Sequence, residues 1–284
     1  MSAQAVSTGP APAAAPGAGS GLVPLVRAEL LKVRTTRLWW GLLLVGVVIV
    51  AAFAALFAGI AGQDTGEGGP VISPSDPASL RAIYGVGFTS GYFIPLVLGI
   101  IGMTGEYRHM TITPTLLGVP RRGRLVLAKV VAYLLLGLAY GAALMLAAIV
   151  GGGLVLAARG YGLGLGAEGV PRTVALGVLG CGVWAIFGLG LGTLIRNQVV
   201  AIVAVLVFVF IAEPLLSFGL NAVSWGGNIA QFLPGSASSA IAAGTDGGQD
   251  LQRLSWWAGT LVLVAYGLVF ASIGAALTTR RDVT

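Results

Sequence analysis

Charge is what this 284-residue sequence has least of. Asp, Glu, Lys and Arg make up 9% of it, while 56% is hydrophobic and the mean hydropathy is +0.93. A soluble domain carries about 25% charged residues because its surface faces water, so no soluble domain of ordinary size fits this composition. The single cysteine, Cys181, lies in an apolar run and excludes a disulfide framework or a thiolate metal cluster. The single histidine, His109, excludes a His-based metal cluster. Residues 1–21 carry no charge and are mostly Ala, Pro, Gly and Ser. They lack the basic start and short apolar core of a signal peptide and read as a disordered cytoplasmic tail.

Glycine and long apolar runs are what the chain has instead. Its 45 glycines mostly lie inside those runs, where they let helices approach closely in lipid. A membrane span needs about 20 apolar residues to cross roughly 30 Å of hydrocarbon. Residues 38–62, 84–103, 173–195 and 256–277 satisfy that cleanly. Residues 125–158 are too many for one simple span, so this run is tilted or starts as a cytoplasmic helix. Lys129 favours the second option, because its stem can snorkel toward the headgroups. Residues 199–220 form a further run, interrupted by Glu213-Pro214. The fold class is therefore all-α integral membrane, with six transmembrane helices in residues 22–284.

The basic residues orient the spans. With the N-terminus inside, Arg27, Lys32, Arg34, Arg37, Arg108, Arg121, Arg122, Arg124, Lys129, Arg196, Arg280 and Arg281 fall on the inner side. Only Arg81, Arg159, Arg172 and Arg253 fall outside. This obeys the positive-inside rule with both termini cytoplasmic, and it explains the basic excess by the lipid bilayer, with no nucleic acid as partner. The expected location is a plasma membrane, multi-pass, in a bacterium.

The connections add detail. In residues 22–37, Leu22, Val26, Leu30 and Val33 make one apolar stripe, and Arg27, Lys32 and Arg34 supply cations. Glu29 can pair with Lys32 one turn on. This reads as an amphipathic helix in the membrane plane, the alternative being a plain extension of the first span. Residues 63–83 and 159–172 read as short Gly-rich outer connections. Residues 196–198 form a tight inner turn that makes spans four and five an antiparallel hairpin. Residues 221–255 form the longest outer segment, and their apolar stretch NIAQFLPGSASSAIAAG is too short to cross, which suggests a re-entrant or interfacial piece.

The inner segment GEYRHMTITPTLLGVPRRGRLVLAK, residues 105–129, is the most distinctive. Glu106, Tyr107, Arg108 and His109 sit together, Met110, Thr111, Ile112 and Thr113 follow, and Pro114 stands where a helix can begin. A proline-bounded cytoplasmic helix would offer a rigid knob to a soluble partner; a basic loop that only fixes topology is the alternative. The segment resembles the first cytoplasmic loop of membrane (permease) subunits of ABC transporters of the type-2 exporter family. An in-plane N-terminal helix, six spans, a coupling helix in this loop and a re-entrant piece before the last span occur in that family in this order. Met110 departs from the pattern, where relatives often carry glycine.

The resemblance implies a permease subunit that pairs with a copy of itself or a paralogue and docks a separate ABC ATP-binding subunit. Glu106, Tyr107, Arg108, His109, Met110, Thr111 and Thr113 would enter a groove on that subunit, with Glu106 and Arg108 leading. Arg27, Glu29, Lys32 and Arg34 of the in-plane helix would brace it. ATP and its Mg²⁺ would belong to the partner, leaving no cofactor, metal or catalytic residue on this chain. The residues agree on one point: Gly118 to Arg124 has the glycine spacing of a phosphate-binding loop, but Arg-Leu replaces its Lys-Ser/Thr and no strand precedes it. An intramembrane enzyme would need convergent ionisable groups at one depth, which the spans lack. An ion-coupled secondary carrier would need charges or broken helices near the midplane.

Glu213 is the one acid within a span. Fourteen residues of helix from Val199 cover about 21 Å, leaving it within about 10 Å of the outer interface. It is either a polar element of the exit path or the end of span five, with Pro214 turning the chain. Gly137/Gly141 and Gly188/Gly192 are small-residue pairs expected to pack helices within the chain.

Overall fold

The computed structural model describes residues 21–63, 73–108, 122–195, 197–243 and 254–281, and no strand occurs among them. Six helices there are long and apolar enough to cross a membrane: Leu38–Ile60, Pro77–Arg108, Gly123–Ala158, Val170–Leu194, Gln198–Asn221 and Trp256–Gly274. They correspond to the six expected runs and are spans 1 to 6 below. A further helix, Leu22–Arg34, precedes span 1.

Span 4 is the most enclosed and packs against spans 2, 3 and 6. Its Trp184 and Phe187 form the core with Phe88, Leu96, Met145 and Leu263. Both glycine pairs work inside the chain. A Cβ on Gly137 of span 3 would lie 2.7 Å from the Gly182 Cα of span 4. Gly188 and Gly192 lie against the backbone of Leu96 and Ile100 in span 2. Such approach is what holds helices together where lipid removes the hydrophobic drive. Spans 1 and 5 leave Leu44, Val48, Phe210 and Phe218 exposed, a surface suited to acyl chains.

Four features refine the reading of the sequence. Span 2 starts at Pro77, inside the expected outer connection, because Asp76 accepts the Ala78 N–H at 3.0 Å and proline suits the first helical position. The same span is interrupted at residues 90–92. Pro95 has no N–H to give the Gly91 carbonyl, which takes the Ile94 N–H at 3.0 Å instead. Span 5 does not end at Glu213. A π-helical turn, Phe208–Ala212, precedes it and the helix runs on to Asn221. In a regular helix the Pro214 ring would strike the carbonyl four residues back; the wider turn absorbs it. Finally, Asn197 caps span 5 by accepting the Val199 and Val200 N–H groups at 3.0 and 3.2 Å. Yet span 5 leans mainly on span 2, where Tyr92 and Phe93 meet Phe210, and not on span 4 as a hairpin would.

Span 3 is one unbroken helix, Arg122–Ala158, of 37 residues. At 1.5 Å per residue it is about 55 Å long, well beyond a hydrocarbon core. Its first turns are used for packing. Ala128 and Ala132 form a cluster with Val26, Leu22, Leu25 and Leu30 of the N-terminal helix, so the apolar stripe of that helix faces protein. In the segment before span 6, the Pro234–Ala243 helix packs against spans 4 and 6. Trp184 Nε1 donates to Ser238 Oγ at 2.9 Å and ties it down.

Candidate functional site

Among the described residues, two sites built on buried carboxylates interrupt the apolar bundle. The first joins three helices. Glu29 and Lys32 lie one turn apart on the N-terminal helix, Glu106 closes span 2, and Lys129 sits in the first turns of span 3. Lys32 Nζ lies 2.6 Å from Glu29 Oε1 and 3.0 Å from Glu106 Oε1. Lys129 Nζ lies 2.6 Å from Glu29 Oε2 and 2.7 Å from Glu106 Oε1. Each carboxylate therefore meets both ammoniums, in a closed ring of four ion pairs with no net charge. Three of the side chains are at most 8% exposed; Lys32 alone reaches water, at 45%.

Burial pulls both N-terminal-helix groups toward neutrality, but the partners win. For Glu29, burial would raise the carboxyl pKa; the Lys129 ammonium and then Lys32 outweigh it and hold it below its ordinary value. For Lys32, burial would lower the pKa; hydrogen bonding to Glu29 and the Glu106 charge outweigh it and hold it above.

The Glu29–Lys32 pair is the local one expected from the sequence. Lys129 is a correction. It does not snorkel outward but is buried between two carboxylates, since an ammonium that far inside is best matched by opposite charge. Glu106, expected to lead contacts with a partner, spends its Oε1 on the two lysines and is 7% exposed. Arg108 is exposed and Tyr107 half-buried. His109, Met110, Thr111 and Thr113, with the expected coupling helix, lie outside the described residues. Arg27 and Arg34 are exposed on the N-terminal helix. A crevice of about 590 Å³ opens beside the ring, lined among others by Arg37, Trp39, Arg108 and Tyr133. One signal for the ring was in the composition: Lys32 and Lys129 are the only two lysines of the chain, against 14 arginines.

The second site lies some 15 residues along span 5 from Gln198, which borders that crevice. At 1.5 Å per residue this is about 22 Å away, at the other end of the bundle. Glu213 is 3% exposed. Its Oε1 accepts the backbone N–H of Gly235 and, at 3.3 Å, that of Ser236, the first turn of the Pro234–Ala243 helix. Its Oε2 is buried with no hydrogen-bond partner among the described residues. Gly235 makes the approach feasible, since a Cβ there would lie 2.8 Å from Oε1. The side chain borders a cavity of about 590 Å³ lined also by Phe88, Thr89, Tyr92, Ser217, Ser236, Ser238 and Ser239. No Lys, Arg or His is among the described lining residues.

A family profile described as "ABC-2 family transporter protein" matches residues 25–212. That stretch takes in all four members of the ion ring and stops one residue before Glu213. No curated protein matches the chain.

Proposed function

Since the chain belongs to the ABC-2 family of transporter proteins, as a multi-pass membrane permease, we propose that it is the permease subunit of an ATP-driven exporter whose ATPase is a separate polypeptide. The ATPase docks at the ring end of the bundle. Two permease chains, identical or paralogous, enclose the path, with both termini in the cytoplasm and the Glu213 end outward in a cell membrane.

The observation that carries this reading is the position of the ring. Glu106 stands three residues before His109, at the root of the segment expected to engage the ATPase, and Lys129 stands where the chain returns. The N-terminal helix is locked to both through Glu29 and Lys32. A push on that segment is thereby delivered to spans 2 and 3 and to the N-terminal helix as one body. Tyr107, Arg108, His109, Met110, Thr111 and Thr113 make the contact, Arg27 and Arg34 brace it, and Glu106 is a positioning residue for it. ATP and Mg²⁺ bind the partner. The Pro234–Ala243 helix is a re-entrant element of the outer side, with Glu213 on the exit path.

Pull-down of the tagged chain tests this: an ATPase subunit is expected to co-purify, and Arg108→Ala is expected to weaken both that association and ATP-dependent transport. Recovery of neither effect refutes the coupling reading. Labelling of a cysteine placed at position 246 from the cytoplasmic side refutes the orientation.

A further inference from the structure

We propose that the cavity beside Glu213 binds an organic cation, a protonated amine carrying an apolar body. Calling that cation cargo rests on the exporter reading above; the binding itself does not.

Three observations converge. The first is the carboxylate. Oε1 is accounted for, because it caps the first turn of the Pro234–Ala243 helix. Oε2 is not: it is buried and without a partner, and an unsatisfied polar atom in a native interior calls for an explanation. A cation in the adjoining space supplies one after a small rotation of the carboxylate.

The second is the sign of the cavity. Among the described residues, Glu213 is the only carboxylate on its walls, and no Lys, Arg or His stands there. Such a space favours a cation and rejects an anion, and it does so in a low-dielectric setting where the discrimination is strong.

The third is the shape and nature of the walls. About 590 Å³ lies within the range of small-molecule sites, far more than a bare metal ion needs. Tyr92, half-buried, offers aromatic surface, and its ring lies 4.7 Å from that of Trp184 at 30°. Aromatic faces attract organic ammonium groups and accept an apolar body. Ser217 and Ser239 add hydroxyl acceptors for the remaining ammonium hydrogens. The π-helical turn directly before Glu213 is a feature often found at functional sites.

The test uses the purified full chain in nanodiscs, with empty nanodiscs as the blank. Dansylcadaverine, a primary amine on an aromatic body, is titrated by fluorescence anisotropy beside its N-acetyl derivative, which keeps the body and loses the charge. The expected result is saturable binding of the amine, roughly tenfold or more tighter than the acetylated form. Glu213→Gln keeps an acceptor for the Gly235 N–H and is expected to erase that preference. Equal binding of the two probes, no saturable binding of the amine, or a preference that survives Glu213→Gln overturns the proposal. The comparison of probes on the unaltered chain stands even if the variant does not fold. ATPase co-purification is scored on the same preparations. An ATPase that co-purifies without amine binding sinks the site alone, whereas amine binding without an ATPase sinks the exporter reading alone.

Discussion

At one end of this bundle two carboxylates meet two ammoniums, and every charge touches two of the opposite sign. At the other end a single carboxylate is buried beside a cavity with one oxygen capped and one bare. Taking an ion out of water costs several kcal/mol, and opposite charge at close range returns it only when geometry and hydrogen bonding are good. The ring meets that condition with protein groups alone, so nothing further is required of it chemically. It is a clamp. The Glu213 site meets half of it, and the missing half has the chemistry of a ligand. Completeness thus separates a structural polar site from one with binding capacity.

The largest effect should come from opening the ring. Lys129→Met leaves Glu29 and Glu106 sharing the half-exposed Lys32, and breaking a buried pair in this way costs about 3–5 kcal/mol. A clear drop in melting temperature in detergent is expected. Spin labels at the exposed positions 27 and 126 should report a broadened distance distribution as the N-terminal helix lifts from span 3. Inverting all four charges, Glu29→Lys and Glu106→Lys with Lys32→Glu and Lys129→Glu, keeps every contact of the ring attractive and should restore part of the loss. An unchanged melting temperature in Lys129→Met would reduce the ring to ornament.

Acid should open the ring less completely. Glu29 is held below the ordinary 4.5 in the folded chain, so its stabilisation is present above that value and is lost as pH falls through the lower folded one. Lys32 is held above 10.5, so its share is intact at neutral pH and lost only under strong alkali. The same spin-label pair should stay fixed at neutral pH and broaden below about pH 4. Broadening already near pH 6 would implicate another group.

How much of this contrast was legible beforehand depended on the distance along the chain. Span lengths come from local hydropathy, and Glu29–Lys32 from one turn of helix; both could be read. The partners that complete the ring lie 74 and 100 residues from Lys32 and Glu29. Periodicity carries no information at that separation, so Lys129 looked like a snorkelling side chain and Glu106 like a free contact. The two lysines among arginines were the available hint. A lysine is a compact charge on a flexible stem, suited to sitting between two carboxylates. Pro214 misled for a different reason: the rule that proline ends a helix gave way to a π turn that accommodates it. The Glu213–Gly235 contact, 22 residues apart in the chain, had no signature at all.

At the other end the effects should be smaller. Gly235→Ala places a Cβ 2.8 Å from Oε1 and 3.0 Å from Cδ of Glu213. Crowding of this kind costs about 1–3 kcal/mol, and it should lower the melting temperature without moving the spin-label pair at the ring.

Glu213→Gln should barely alter stability, by less than about 1 kcal/mol. The amide oxygen still accepts from Gly235, and the charge it removes has no cationic partner among the described residues. This is the sharpest use of the contrast, because Glu106→Gln at the ring deletes the same charge from a site where two lysines depend on it. If the two substitutions melt alike, completeness is not what distinguishes the sites. If Glu106→Gln falls well below Glu213→Gln, the ring carries stability and the bare oxygen of Glu213 is held in reserve for what enters the cavity.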